Sequence, residues 1–466
     1  MAPESDSELD QVAKTIEALE LKKSFLLREA SEVELELRYA RAKHGRLLNQ
    51  TAHVSKLPNE ILSHIFMICQ KSPGQPRAVR IPFEVLASHV SSMWREIATG
   101  TPLLWTSVVI KVRPRELLAK KVLDRKLSRV NQILDLISVH AARWLRLSIS
   151  IKNPPDATLE IWQSLHALCA PALEHVSIWL TKMAMSSHPA ISDTDCTPFI
   201  FQGGAPSLKF VRVSGMALGC LQPPLDLVQT LHLSGYPLSY TSFRTMLAGT
   251  PNLLNLSLHR MHIINRPPDY APISLPHLRA LRVCGNLEDD TSHPTPHRIF
   301  RTLHAPQLEA LVLKDFDAFD EQEFPTVHTL TLHGCPFASG EMFRMLRAFP
   351  ALTTFRLDES LPDILCLLGM PDDASGRPPW PELHTLAVTD MEPADVELMC
   401  DMVSNRKALG RPLERVFLDR RSRTVLRKKE RLEWLQKEVR VERHDGFYRW
   451  PEDLGYEDND EGFWDS

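Results

Sequence analysis

No two of the eight cysteines stand close enough to form the fixed-spacing pairs on which zinc sites and disulfide frameworks are built; they lie at 69, 169, 196, 220, 284, 335, 366 and 400. They read as buried, reduced thiols. No stretch approaches the roughly 20 uninterrupted apolar residues of a membrane span, and Met1 to Asp10 is acidic and polar, without the apolar segment of a secretory signal. The expected location is cytoplasmic, nuclear or both, with no membrane partner. Neither sign of charge dominates, since 54 Lys and Arg against 58 Asp and Glu leave a net charge of -4. That balance excludes a general polyanion-binding role, so nucleic acid is not an expected partner. A glycine-rich phosphate loop, a Gly-x-Ser-x-Gly elbow and a His-Glu-x-x-His metal motif are all missing, and Gly203-Gly204 runs into repeat sequence rather than a phosphate-binding helix. His259 with His262, and His293 with His297, have helix-like separations but lie in loop-like sequence without a third ligand. No catalysis, cofactor or metal is therefore expected.

The chain does have an ordinary globular composition, 43% hydrophobic and 24% charged, and its 466 residues exceed the size of a single core. Two or three units are expected. From Leu9 onward apolar residues recur in steps of three and four, at Leu9, Val12, Ile16, Leu19, Leu26, Ala30, Val33, Leu37, Ala40 and Leu47, with Lys23 and His44 as breaks. A 3.5-residue repeat draws one seam along a helix, which predicts a coiled-coil-like helix over 1–50. Its partner is either a second copy, giving coil-mediated self-association, or the body of the same protein.

After a polar break comes Leu57-Pro58-Asn59-Glu60-Ile61-Leu62-Ser63-His64-Ile65-Phe66. Pro58 suits a first helical turn, Glu60 suits the positive end of the helix dipole, and Ile61, Leu62, Ile65 and Phe66 fall at helical spacing. A Pro/Gly-rich interruption from Ser72 to Pro82 comes next. A second helical stretch then runs through Val85, Leu86, Val90, Met93, Trp94 and Ile97 to Gly100, with Trp94 the anchor of a miniature core. Thr101-Pro102-Leu103-Leu104-Trp105 closes the module, and Val108, Val109, Ile110 and Val112 read as a short strand. The three blocks together resemble the F-box, in the F-box-like variety of large fungal families. That resemblance implies a small all-α domain over 54–112 that binds the Skp-type adaptor of a cullin-RING ubiquitin ligase. It implies Leu57, Pro58, Glu60, Ile61, Leu62, Ile65 and Phe66 as adaptor-binding residues, with Trp94 partly structural. Ser91 departs from the family pattern, which often has Cys there.

The rest of the chain repeats one unit, Pro-x-Leu-x-x-Leu-x-Leu. It starts at Pro171, Pro206, Pro251, Pro276, Pro306, Pro325, Pro350 and Pro381, with related copies at Val228 and Leu413 and an incomplete one at Trp144. Alternate inward residues make each copy a strand, and a strand that cannot bury its face alone stacks on the next. The expected result is a leucine-rich-repeat solenoid over 113–419 with a parallel sheet, and short helices near Phe243 to Leu247 and Met342 to Leu346. Steps of about 19 to 35 residues make it irregular. Only Asn286 and Cys335 hold the Asn/Cys position three residues past the last leucine. Loops at Met183 to Cys196 and Asn286 to Pro296 are expected to protrude. The x positions, His175, Ser177, Arg212, His232, Ser257, Arg282, Val312, Thr331, Arg356 and Ala387, are expected to face solvent on the concave side, with no single sign of charge.

Residues 420–466 read as a basic helix, Arg420 to Val439, that closes the solenoid, and then an acidic aromatic tail that folds back onto that helix or stays in solvent. The fold class expected is α/β. The function expected is a non-catalytic substrate receptor, bridging a cullin-RING core to an unknown protein target; a repeat scaffold unconnected with ubiquitination is the alternative.

Overall fold

A computed structural model describes residues 4–71, 82–112, 132–152, 164–181, 200–215, 223–235, 237–264, 270–285, 298–316, 322–335, 337, 339–358, 362–371, 378–444 and 450. The loops expected at Met183 to Cys196 and Asn286 to Pro296, the His293–His297 pair, and nearly all of the Pro/Gly-rich interruption lie outside them. The chain divides into two compact units, Met1–Trp105 and Thr106–Ser466. Among the described residues no helix is long and apolar enough to cross a membrane.

The first unit is helical: α1 (Glu4–Thr51), α2 (Asn59–Lys71), α3 (Phe83–Val90) and α4 (Ser92–Gly100). Pro58 stands just before α2 rather than within it, and its carbonyl accepts the N–H groups of Ile61 and Leu62 at 3.1 and 3.2 Å. The single helical stretch expected through Val85 to Ile97 is broken in two at Ser91. There the backbone is extended, and the Ser91 hydroxyl accepts the Trp94 N–H at 3.1 Å, so an N-cap replaces one turn of helix. Leu62, Phe66, Ala87, Ile97, Ala98 and Leu104 form a small core, against which Phe83 and Trp94 pack. Phe66 is its pivot, with ring centroids 4.8 Å from Trp94 and 6.0 Å from Phe83.

The second unit is one open sheet of 13 strands, every pair of neighbours parallel. Its strands are β1 (Ser107–Val112), β2 (Arg146–Lys152), β3 (His175–Thr181), β4 (Phe210–Gly215), β5 (Thr230–Ser234), β7 (Asn255–His259) and β10 (Ala280–Cys284). They continue as β12 (Ala310–Lys314), β13 (Thr329–His333), β14 (Thr354–Asp358), β15 (Thr385–Thr389), β16 (Arg415–Leu418) and β17 (Arg440–Arg443). The intervening numbers are two short parallel pairs beside it, β6 (Pro237–Ser239) with β8 (His262–Ile264) and β9 (Ile273–Ser274) with β11 (Leu303–His304). The protein is thus mixed α/β, with a long N-terminal helix and a large parallel sheet. The sheet runs past both expected limits of 113 and 419. β1 belongs to it, and the segment expected as one closing helix is two helices, Arg420–Lys428 and Leu432–Glu438, with a further strand after them.

The repeated proline has a local cause. In each Pro-x-Leu unit the leucine N–H bonds back to the carbonyl just before the proline, as in Leu173 to Ala170, Leu208 to Ala205, Leu278 to Leu275 and Leu308 to Ala305. Proline therefore sits at the second position of a β-turn, where its fixed φ is already correct. The residue after each turn offers a carbonyl that takes two N–H groups from the next repeat: Glu174 O from Lys209 and Phe210, Gln229 O from Leu254 and Asn255, Leu254 O from Arg279 and Ala280. These shared acceptors lock successive repeats in one register. The strand leucines and valines then form two rows, for example Val211, Leu231, Leu256, Leu281, Leu311 and Leu330, all buried in one continuous core. Strands end alike as well, with left-handed backbone at Gly235, Arg260, Asp315, Gly334 and Asp390, each directly after its strand.

Helices cover the leucine side, including Tyr240–Ala248 and Ser339–Ala348, which contain the two short helices expected. Pro362–Gly369 and Asp395–Ala408 pack so closely that a Cβ at Gly369 would stand 3.0 Å from Met402 Cα. Arg406 is fully buried beneath them. Its guanidinium donates to the carbonyls of Leu368, Pro379, Trp380 and Leu383 at 3.0 to 3.3 Å and so ties together the chain ends that meet there. Six thiols are free, and Cys284, Cys335 and Cys400 are buried as expected; Cys169, however, is exposed. Cys335 turns its thiol to the carbonyls of Leu313 and His333, at 3.6 and 3.3 Å, tying one repeat to the last.

Removing the Arg406 guanidinium strands those carbonyls, each worth about 1–3 kcal/mol when buried and unsatisfied. Arg406→Met is expected to cost about 3 kcal/mol or more in denaturant unfolding, whereas Arg411→Ala, which loses an exposed pair with Glu382 at 3.1 Å, changes stability by under about 1 kcal/mol.

Candidate functional site

Two surfaces carry the residues singled out in the sequence. On the helical unit, the expected adaptor residues do not form one face. Leu62 and Phe66 are 1% exposed and belong to the core, while Ile61 and Ile65 are 49% and 38% exposed. Leu57, Pro58 and Glu60 are exposed and Trp94 is half-buried against Phe66. Leu62 and Phe66 thus sit in the interior of the small core and not on its surface. The reason is geometric: positions four apart share a stripe, so 62 and 66 line one stripe of α2, and 61, 65 and 68 line its neighbour. Ile68 is exposed on that second stripe, and Leu103 and Trp105 are exposed as well.

The larger surface is the face of the sheet opposite the leucines. Strand register places Ser177, Arg212, His232, Ser257, Arg282 and Val312 side by side. Flanking rows bring in His175, Phe210 and Thr230 on one side and Trp179, Ser214, Ser234, His259, Cys284 and Lys314 on the other. These positions were expected in solvent, yet His175, Ser177, Arg212, His232, Ser257, Arg282, Thr331 and Ala387 are buried. Neighbours within a row stand one strand apart, roughly 4.8 Å, so large side chains roof one another. The charged members of the expected set, Arg212, Arg282 and Arg356, are all cationic, while the carboxylate of Asp358 stands on the same face.

Aromatic rings separate the cations. His175 stacks on Phe210 with centroids 4.1 Å apart, and Phe210 meets His232 edge-on at 4.8 Å. Arg212 lies over the Trp179 ring at 4.7 Å. Arg282, 1% exposed, donates Nε to the Ser257 hydroxyl at 2.9 Å, and its guanidinium lies 4.7 Å from the ring centroid of Trp450, far along the sequence. Trp450 also approaches His232, at 5.5 Å. These are cation–π geometries, which strengthen as water is excluded.

Burial and surrounding positive charge keep the imidazoles neutral. His175 falls to about 3 through burial, then Arg146 and Arg212. His259 falls to about 3 through burial, then Arg260, Lys314, Arg282 and Arg212, while its Nδ1 pairs with the Ser234 hydroxyl at 3.2 Å. His232 lies well below the ordinary range, through burial, then Arg282, Arg212 and His175. Its Nε2 is buried and has no hydrogen-bond partner among the described residues. Farther along the same face the chemistry is balanced: His333 Nδ1 meets Asp358 at 2.5 Å, and the Thr389 hydroxyl bonds the same carboxylate. From β2 to β12 the face thus sets cations, aromatic rings and neutral imidazoles side by side, with one hydroxyl–imidazole pair, Ser234 and His259. The signal for it was present in the sequence as basic and aromatic residues at equivalent repeat positions.

The histidines set a pH dependence. Between about 3 and 6.5 the unfolded chain binds protons that the native imidazoles refuse, so stability is complete above about pH 6.5 and declines as pH falls below it. Each histidine contributes up to about 1.4 kcal/mol per pH unit. Unfolding free energies measured at about pH 7.5, 6.5 and 5.5 should be level, then fall, and His175→Gln should make the fall shallower by about one proton.

Comparison with known proteins adds no relative to this description: no family model matches the chain, and no curated protein matches it.

Proposed function

We propose that the chain is the substrate-recognition subunit of a Skp-cullin-F-box type ubiquitin ligase, with an F-box in its helical unit and a leucine-rich-repeat solenoid in its sheet. The observation that carries this reading is the exposed strip of Leu57, Pro58, Ile61 and Ile65 beside a core already completed by Leu62 and Phe66. Apolar side chains kept in water next to a closed core suit a docking surface, and the strip falls where the family's adaptor contact would be. The sheet's cationic, aromatic face supplies the target-binding half of the role. By the family resemblance the receptor does no chemistry; it holds a target where its lysine can reach a loaded conjugating enzyme, and so contributes proximity.

The strip is testable without disturbing the core. Co-purification with a Skp-type adaptor is expected for the wild type, and the double variant Ile61→Asp, Ile65→Asp should weaken it at least about thirtyfold while leaving the fold intact. Leu62→Ala acts differently, costing about 2–5 kcal/mol of stability through a cavity. A wild-type chain that binds no Skp-type adaptor would leave a repeat scaffold unconnected with ubiquitination.

The first helix fits a self-association role in the same assembly. Its seam residues Val12, Ile16, Leu19, Leu26 and Val33 are all more than half exposed along a helix of 48 residues, about 72 Å, held by surface pairs such as Arg28–Glu32 at 3.2 Å. Surface pairs contribute little, and a helix gains most of its stability from burying an apolar face. Sedimentation is expected to show a dimer at micromolar concentration that Leu19→Glu with Leu26→Glu converts to monomer; a wild type that stays monomeric at about 100 µM ends that reading.

A further inference from the structure

β17 is the outermost strand of the sheet, and among the described residues it pairs on one side only, with β16. The Arg440 N–H bonds to the Glu414 carbonyl at 3.3 Å and the His444 N–H to the Leu418 carbonyl at 2.9 Å. In a parallel ladder alternate residues bond to the same neighbour, so Arg440, Glu442 and His444 face β16 and the N–H and C=O of Val441 point outward. The Val441 side chain packs on the leucine side of the sheet. Arg440 and Glu442, one residue to either side of it, share the opposite face with opposite charge. Within the chain Arg440 Nε lies 2.8 Å from a Glu442 carboxylate oxygen, and the Arg440 side chain is 75% exposed. Its neighbour on β16 is a like charge, Arg415.

We infer that β17 pairs edge to edge with β17 of a second copy of the chain, antiparallel and centred on Val441. A two-fold axis through that residue lets its N–H and C=O exchange bonds with those of its counterpart, and makes the flanking positions close, non-hydrogen-bonded pairs. Each flanking pair is then Arg440 against Glu442 of the copy. The adjacent register, centred on Glu442, would set that carboxylate against its own counterpart, so charge selects the first. The intrachain pair engages Nε of Arg440 and leaves the guanidinium's terminal nitrogens for the second carboxylate, which gives four charges of alternating sign across the axis. An isologous contact uses both edges and closes, so a dimer forms and not a fibre. The axis stands perpendicular to the sheet, which puts the polar faces of both copies on one side, where a single target meets two of them. An edge of four residues makes the association weak, with a dissociation constant on the order of 100 µM. It involves the sheet alone, whether or not the helical unit binds an adaptor.

Sedimentation of the full-length chain tests it, in a background of Leu19→Glu with Leu26→Glu so that pairing through the first helix plays no part. That chain is expected to be monomeric at about 10 µM and largely dimeric by about 300 µM. Arg440→Glu alone and Glu442→Arg alone should each weaken the dimer about tenfold or more, because both flanking pairs then carry like charges. An equimolar mixture of the two variants should restore it, since every pair across the axis is again of opposite sign; the intrachain ion pair, lost in both variants, predicts no such rescue. Val441→Pro removes an outward N–H that the ladder to β16 does not use, and should abolish the dimer while circular dichroism shows the chain still folded. A background chain that stays monomeric at about 300 µM, or a mixture no more dimeric than either variant alone, would overturn the proposal.

Discussion

The shared carbonyl acceptors that join each repeat to the next fix everything else in the second unit. Because Glu174, Lys209, Gln229 and Leu254 each hold two N–H groups of the following repeat, no strand can slip by a residue without breaking a pair. A slip of one would also turn the leucines outward and the polar residues inward, so register and core enforce each other. Identical register has a cost on the other face. Whatever occupies one repeat position must stand about 4.8 Å from its equivalents in both neighbours. Like charges directly opposite repel. The sequence meets this by setting His232 and Ser257 between Arg212 and Arg282, so that the two guanidinium groups are three strands apart, and by keeping the histidines neutral.

Two buried arginines show how differently that cost can be met. Arg406 is enclosed by four carbonyl dipoles, and burial, then the nearby Arg411, lowers it only to about 10. Both its terminal nitrogens are satisfied, and the residue serves packing. Arg282 instead donates Nε to a serine hydroxyl and sets its guanidinium against an aromatic plane, where the cation–π attraction gains from the exclusion of water.

Much of the fold was legible because two periodicities coincide. The period-two leucines name the strand, and the proline four residues before the first strand position names the turn, so Pro171, Pro276 and Pro306 announce their repeats without reference to anything distant. β1 escaped the repeat reading because it starts five residues after the proline of its Pro102-Leu103-Leu104 turn, one more than in the other repeats; no Pro-x-Leu turn precedes β17, which has a single apolar residue, Val441, to declare it. The split at Ser91 was hidden by apolar residues whose helical spacing continues across it. On α2 the sequence presents four apolar residues on adjoining stripes, and only the position of Ala87, Ile97 and Leu104 decides that Leu62 and Phe66 turn inward. Arg282 meets a tryptophan 168 residues farther along the chain, a contact that no local pattern encodes.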